Sequence, residues 1–322
     1  MKKNLFIGRT ICSFLLVLLL MPLGHALMIL MEHFLSPSAL HCSAFIMGGI
    51  GIVVTICGLF VKGDTRQTIY GLAGGLLFWT GWVEFLFSYY AWRYGVHCDL
   101  VGNGIVETST QYLDGIGLTH DFLINGEPLE SFGRTEIKQI RGSRPEYLIL
   151  PATFGLWAMF IMFYILCTRT GCLAFNWLQR KLHVKDKIEA RPLVRHSSMV
   201  TFMELNMLLW TCYLVLMFCY DPIFLGSSHP ITFILGVFCL IGSLMMLARQ
   251  MHIMSWGANI RFSIATVIVL WTFVEIIARN GLLREIWVEP MNYVVEMTII
   301  FGAFVALAIW LIWTNKKAKS TS

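Results

Sequence analysis

Residues 78–87 read FWTGWVEFLF, an apolar stretch interrupted by a single carboxylate, Glu84. Ionisable side chains at membrane depth are costly and usually face a bundle interior, a cavity or one another. Glu84 therefore poses two questions: what kind of chain surrounds it, and what it faces.

The chain answers the first. Of its 322 residues 57% are hydrophobic and 13% charged, and its mean hydropathy is +0.69, a balance foreign to a soluble globular domain. A helix needs roughly 20 apolar residues to cross the hydrocarbon core. Windows of that kind fall at about 11–34, 43–61, 68–92, 147–167, 199–220, 231–249, 260–279 and 291–313. The sequence thus predicts an all-α polytopic membrane protein with eight transmembrane helices, and the lipid bilayer is its first partner.

Lysine and arginine set the expected orientation. With the N-terminus inside, 17 of the 24 basic residues fall on inner segments, seven of them in the linker 168–198. Both termini are then cytoplasmic, in an inner (plasma) membrane. The net charge of +5 reflects this bias, and no nucleic-acid patch is visible in it. The start, MKKNLFIGRT, resembles a secretory signal peptide, but the apolar run continues to Leu30 without a polar mature start, which favours a span. Of nine cysteines, Cys42 and Cys98 are those expected outside. An oxidising compartment would pair them, and two free thiols are the alternative.

The spans form two sets of four, and the sets resemble each other. HCSAFIMG from His41 matches HPITFILG from His229 at an offset of 188 residues. FWTGWVEF matches LWTFVEII once one residue is skipped, aligning Glu84 with Glu275, and RYG and RNG follow. PEYLILPATFG and PMNYVVEMTIIFG open the fourth and eighth spans. The expected organisation is a first repeat over 1–167, a basic cytoplasmic linker over 168–198 and a second repeat over 199–322. Four spans per copy make the repeats parallel, about an axis along the membrane normal. The loop 95–145, about 50 residues, is an insertion on the outer side, with Asn125-Gly126 as a hairpin turn. In the linker, FNWLQRKL suits a short amphipathic helix against anionic lipid.

A carboxylate present in both copies points to a site near the shared axis. Glu84 and Glu275, with His25 of the first span and Glu296 of the eighth, are the expected proton- or ion-binding residues. Desolvated carboxyls favour their neutral form, which suits proton-coupled chemistry. His41 and His229, each opening a span, would join Glu84 and Glu275 as ligands of a divalent transition metal, the one cofactor the residue types suggest. Glu146 and Glu289 beside helix-opening prolines read as caps, Glu32 and His33 as interfacial, and Glu204 as reaching the inner interface. Tyr89, Tyr90, Trp92, Tyr94 and Trp287 form an outer aromatic belt. No nucleotide-binding glycine loop, serine nucleophile elbow, CxxCH or di-histidine motif is present.

Three functions fit. A small ion- or proton-coupled permease would use the paired glutamates in a cavity open to the outer side. A membrane-embedded metal-dependent oxidoreductase would act on an apolar substrate. An accessory or assembly subunit would meet a membrane-protein partner and use its polar groups to hold helices together.

Overall fold

The computed structural model describes residues 6–87, 89, 100–101, 104–113, 117–124, 127–128, 150–167, 173–182, 196–220, 225, 229–284, 286–287 and 289–320. Three helices come first: α1 (Ile7–Phe34), α2 (Pro37–Phe60) and α3 (Asp64–Phe78), the last continued by a π-helix over Trp79–Glu84. The insertion carries strands β1 (Leu100–Val101), β2 (Gly104–Leu113), β3 (Gly117–Ile124) and β4 (Glu127–Pro128), paired antiparallel in that order. Ile124 pairs with Glu127, and the expected turn residues Asn125 and Gly126 lie outside the described residues. A 3₁₀ turn (Leu150–Thr153) leads into α4 (Phe154–Cys167) and α5 (Leu173–Lys181), and α5 covers most of the expected linker helix. Then come α6 (Ser197–Tyr220), α7 (Pro230–Gln250), α8 (Trp256–Arg279) and α9 (Val294–Ser320).

Among the described residues, six helices are long and apolar enough to cross a bilayer: Ile7–Phe34, Ser38–Phe60, Asp64–Phe87, Ser197–Tyr220, Pro230–Gln250 and Trp256–Arg279. They make the chain a multi-pass membrane protein. The apolar part of α9, Val294–Trp310, is shorter. Helix starts and stops follow local chemistry. Gly63, at φ +103°, turns the chain from α2 into α3, and Gly281, at φ +76°, follows the end of α8. Ser255 caps α8 by accepting from the Ala258 amide, while proline opens α2 and α7, where a missing N–H costs nothing.

Packing crosses the two sequence halves. α2 pairs with α3 and α7 with α8, but α1 packs mainly on α8, and α6 mainly on α3. The result is two bundles, one of α2, α3 and α6 and the other of α7, α8 and α1. The hydrogen bonds follow the same rule. Thr10 of α1 donates to the Gln250 carbonyl of α7, and Ser198 of α6 donates to the Thr55 carbonyl of α2. Thr10 and Ser198 are 188 residues apart. The stripes they belong to are buried alike: Ser13 and Thr201, Leu16 and Glu204, Val17 and Leu205, Met21 and Leu209, Met28 and Leu216 are all buried at that same spacing.

Two expectations are corrected here. Glu204 is buried rather than interfacial, lying with Thr201 and Leu205 among the buried residues of α6. Trp287 is not part of an outer belt: it is buried, with its ring centroid 4.8 Å from that of Trp271, closing one end of the core. Of the other belt residues, Tyr90, Trp92 and Tyr94 lie outside the described residues.

Candidate functional site

The π-helix explains how Glu84 is aimed. Its hydrogen bonds run i to i+5 where an α-helix runs i to i+4, so a π-turn accommodates one extra residue without putting its two ends out of phase. In α8, Trp271 precedes Glu275 by four residues; in the third long helix, Trp79 precedes Glu84 by five. Both tryptophans are buried, as are Thr80 and Thr272 beside them, and both glutamate side chains are 13% exposed.

The two carboxyls converge on one imidazole. His25 Nδ1 lies 3.0 Å from Glu84 Oε1, an ion-pair approach outside hydrogen-bond geometry, and His25 Nε2 lies 3.9 Å from Glu275 Oε1. The Tyr213 hydroxyl stands 3.2 Å from the same Nε2. In the neutral ring a hydrogen on Nδ1 is favoured by the neighbouring carboxylate, leaving Nε2 to accept from Tyr213; in the charged ring both nitrogens donate. Trp271 donates its indole N–H to Glu275 Oε1 at 2.9 Å. Glu84 and Tyr213 come from one bundle, and His25, Trp271 and Glu275 from the other. The site thus lies between them.

A small cavity borders the site, with Met21, Leu209, Tyr213, Ile268, Trp271 and Glu275 in its wall. Its volume of about 10 Å³ is near what one water molecule needs. At that size it admits no organic substrate.

Other expected residues lie elsewhere. Glu296 is exposed on the first turn of α9. His41 packs among Phe45, Phe85 and Tyr89, with the Tyr89 ring 4.6 Å away. His229 caps α7, its Nδ1 accepting from the Ile231 amide at 3.2 Å. No group of three or more His, Cys, Asp or Glu among the described residues is placed to hold a metal ion. The reason is geometric, since the imidazole of His25 turns opposite nitrogens to the two carboxyls instead of leaving a common point between them. Cys42 is exposed and free, and Cys98 lies outside the described residues, as does Glu146. Glu289 accepts from the Asn292 side chain at 3.1 Å, in keeping with a turn or cap role.

Tyr213 and Trp271 were not expected. A signal for Tyr213 exists: it stands 188 residues after His25, the spacing that relates His41 to His229. The difference in residue type conceals it. Compared with known proteins, the chain matches no family model, no curated protein and no solved structure.

Trp271→Phe should keep the ring against Trp287 and remove one donor from Glu275. A lost hydrogen bond of this kind is worth about 1 kcal/mol. The expected result is a shifted carboxyl stretch for Glu275 by infrared difference spectroscopy, with the thermal midpoint little changed. An unshifted band would contradict the contact.

Proposed function

We propose that the chain is a small proton-coupled permease of the inner (plasma) membrane in which Glu84, His25 and Glu275 carry the proton. One observation carries the reading: an imidazole held between two carboxyls, in the interior of an apolar bundle. Intramembrane His and Glu relays of this composition suit proton transfer. The residues divide between the two bundles, so a proton added or removed alters the attraction across the interface between them.

The same proposal includes eight spans and two parallel four-helix repeats, with both termini cytoplasmic. Several features support the duplication. The stripe shared by α1 and α6 keeps one spacing throughout, and exchanging the halves exchanges α1 on α8 for α6 on α3. α9 packs on α1 as α4 packs on α6. The one-residue mismatch between the glutamate segments coincides with the π-helix, the element that absorbs such an insertion. His25 and Tyr213 then become equivalent positions touching each other, as residues beside a twofold axis do.

The test is proton uptake by the full chain in proteoliposomes with an internal pH dye, driven by a potassium diffusion potential. It is run alone and against gradients of amino acids, sugars, nucleosides and monovalent ions. Uptake above empty vesicles that depends on the two glutamates is expected. A chain that moves no protons under any of these gradients sinks the reading.

A further inference from the structure

At the far end of α3 and α8 from the glutamates, a second polar cluster joins the bundles. Asp64 opens α3, and Arg261 lies on the second turn of α8. The guanidinium grips the carboxylate with both nitrogens, Nη1 to Oδ1 at 2.8 Å and Nη2 to Oδ2 at 3.3 Å. Such paired contacts fix direction as well as distance. Arg261 also donates to the Thr68 hydroxyl, one turn along α3, and Asp64 accepts from the Ser197 hydroxyl of α6. Ser197 in turn gives its amide to Gln67 Oε1 at 2.9 Å.

The surroundings are cut to fit the ion pair. A Cβ on Gly257, in the first turn of α8, would lie 2.1 Å from Asp64 Oδ2, so only glycine lets the carboxylate settle against that helix end. The positive end of the α8 dipole faces the negative charge there. Arg261 is 10% exposed and Asp64 45%, so water reaches one partner while the other is anchored. An isolated surface pair is worth little. This one is paired twice, backed by a helix end and half covered, yet open enough to break.

We propose that Asp64 and Arg261 form a latch that holds the two bundles together at the end remote from His25, Glu84 and Glu275. While the latch is closed, access to the site is confined to the Glu84 end; releasing it lets the bundles part at the Asp64 end. The inference rests on the reading of the glutamate site as the proton site. It adds a moving contact to it: Asp64, Thr68 and Ser197 belong to one bundle and Arg261 to the other.

The experiment places genetically encoded spin labels at Lys62 and Met254, exposed positions in the turns before α3 and α8, and measures their separation by pulsed electron resonance in lipid nanodiscs. In the otherwise unaltered chain one short distance should dominate. Arg261→Gln and Asp64→Asn should each add a second, longer population, and Arg261→Lys, which keeps the charge, should keep the short one dominant. An unchanged distribution in the folded Arg261→Gln and Asp64→Asn variants overturns the latch. Should those variants fail to fold, a rise in salt on the unaltered chain decides: growth of the longer population as the half-exposed pair is screened supports the latch, and an unchanged distribution overturns it. The two proposals fail separately. A static distance with glutamate-dependent proton uptake removes the latch alone, and a responsive distance without proton uptake removes the permease reading alone.

Discussion

Replacing Glu84 and Glu275 together by glutamine should lower proton uptake by about 100-fold or more, the scale on which a positioned acid–base group contributes. Glutamine keeps the size and acceptor oxygen of glutamate and removes only the exchangeable charge. The packing around His25, Tyr213 and Trp271 should therefore survive, and the melting temperature should stay within a few degrees. Of the single variants, Glu84→Gln should be the more damaging. Its carboxyl stands 3.0 Å from the imidazole against 3.9 Å for Glu275, and Coulomb attraction falls with distance. Glu275 also has the Trp271 N–H to stabilise its charge, which makes it less dependent on His25. Uptake in the double variant equal to that of the parent would remove the site from the mechanism.

How far was this arrangement legible beforehand? Glu84 and Glu275 stood out because charge among apolar residues needs a reason, and the two segments share Trp, Thr, Val and Glu in order. His25 stood out for the same cause. Their meeting on one imidazole could not be read, because it depends on α1 packing across to α8 instead of on its own hairpin. Apolar stretches specify that a helix is inserted far better than which helix it touches, since lipid and protein neighbours offer similar apolar surroundings. The same ambiguity misled the reading of Trp287, whose ring suits an interface or a core equally, and of Glu204, which is buried in α6. His41 and His229 matched in the sequence and yet do different jobs, one packing among aromatic rings and the other capping a helix. Sequence register alone did not distinguish these. The residue skipped to align the two glutamates falls within the π-helix Trp79–Glu84, an element the sequence did not announce.

Gly81, within that π-helix, carries the second large expectation. A Cβ built there would lie 2.6 Å from both the Ala44 carbonyl oxygen and the Gly48 amide nitrogen, main-chain atoms of α2 that cannot swing aside. Gly51 and Gly74 make the same hairpin tight further along, each approaching the other's backbone. Close contact between glycine-lined helices is how membrane helices gain dispersion energy where no hydrophobic drive exists between them. Gly81→Leu should therefore force α2 from α3 and destabilise the chain by about 3 kcal/mol, the upper range of overpacking. It should also disturb the π-helix that aims Glu84, so proton uptake should fall even in whatever fraction remains folded. Gly242→Leu is the control, since nothing lies within 4 Å of a Cβ at that position on α7. Thermal unfolding in detergent, followed by tryptophan fluorescence, should show a large drop in the midpoint for the first variant and almost none for the second. Equal midpoints would mean that the α2 and α3 backbones are not in contact at Gly81, and the account of how Glu84 reaches His25 would fall with them.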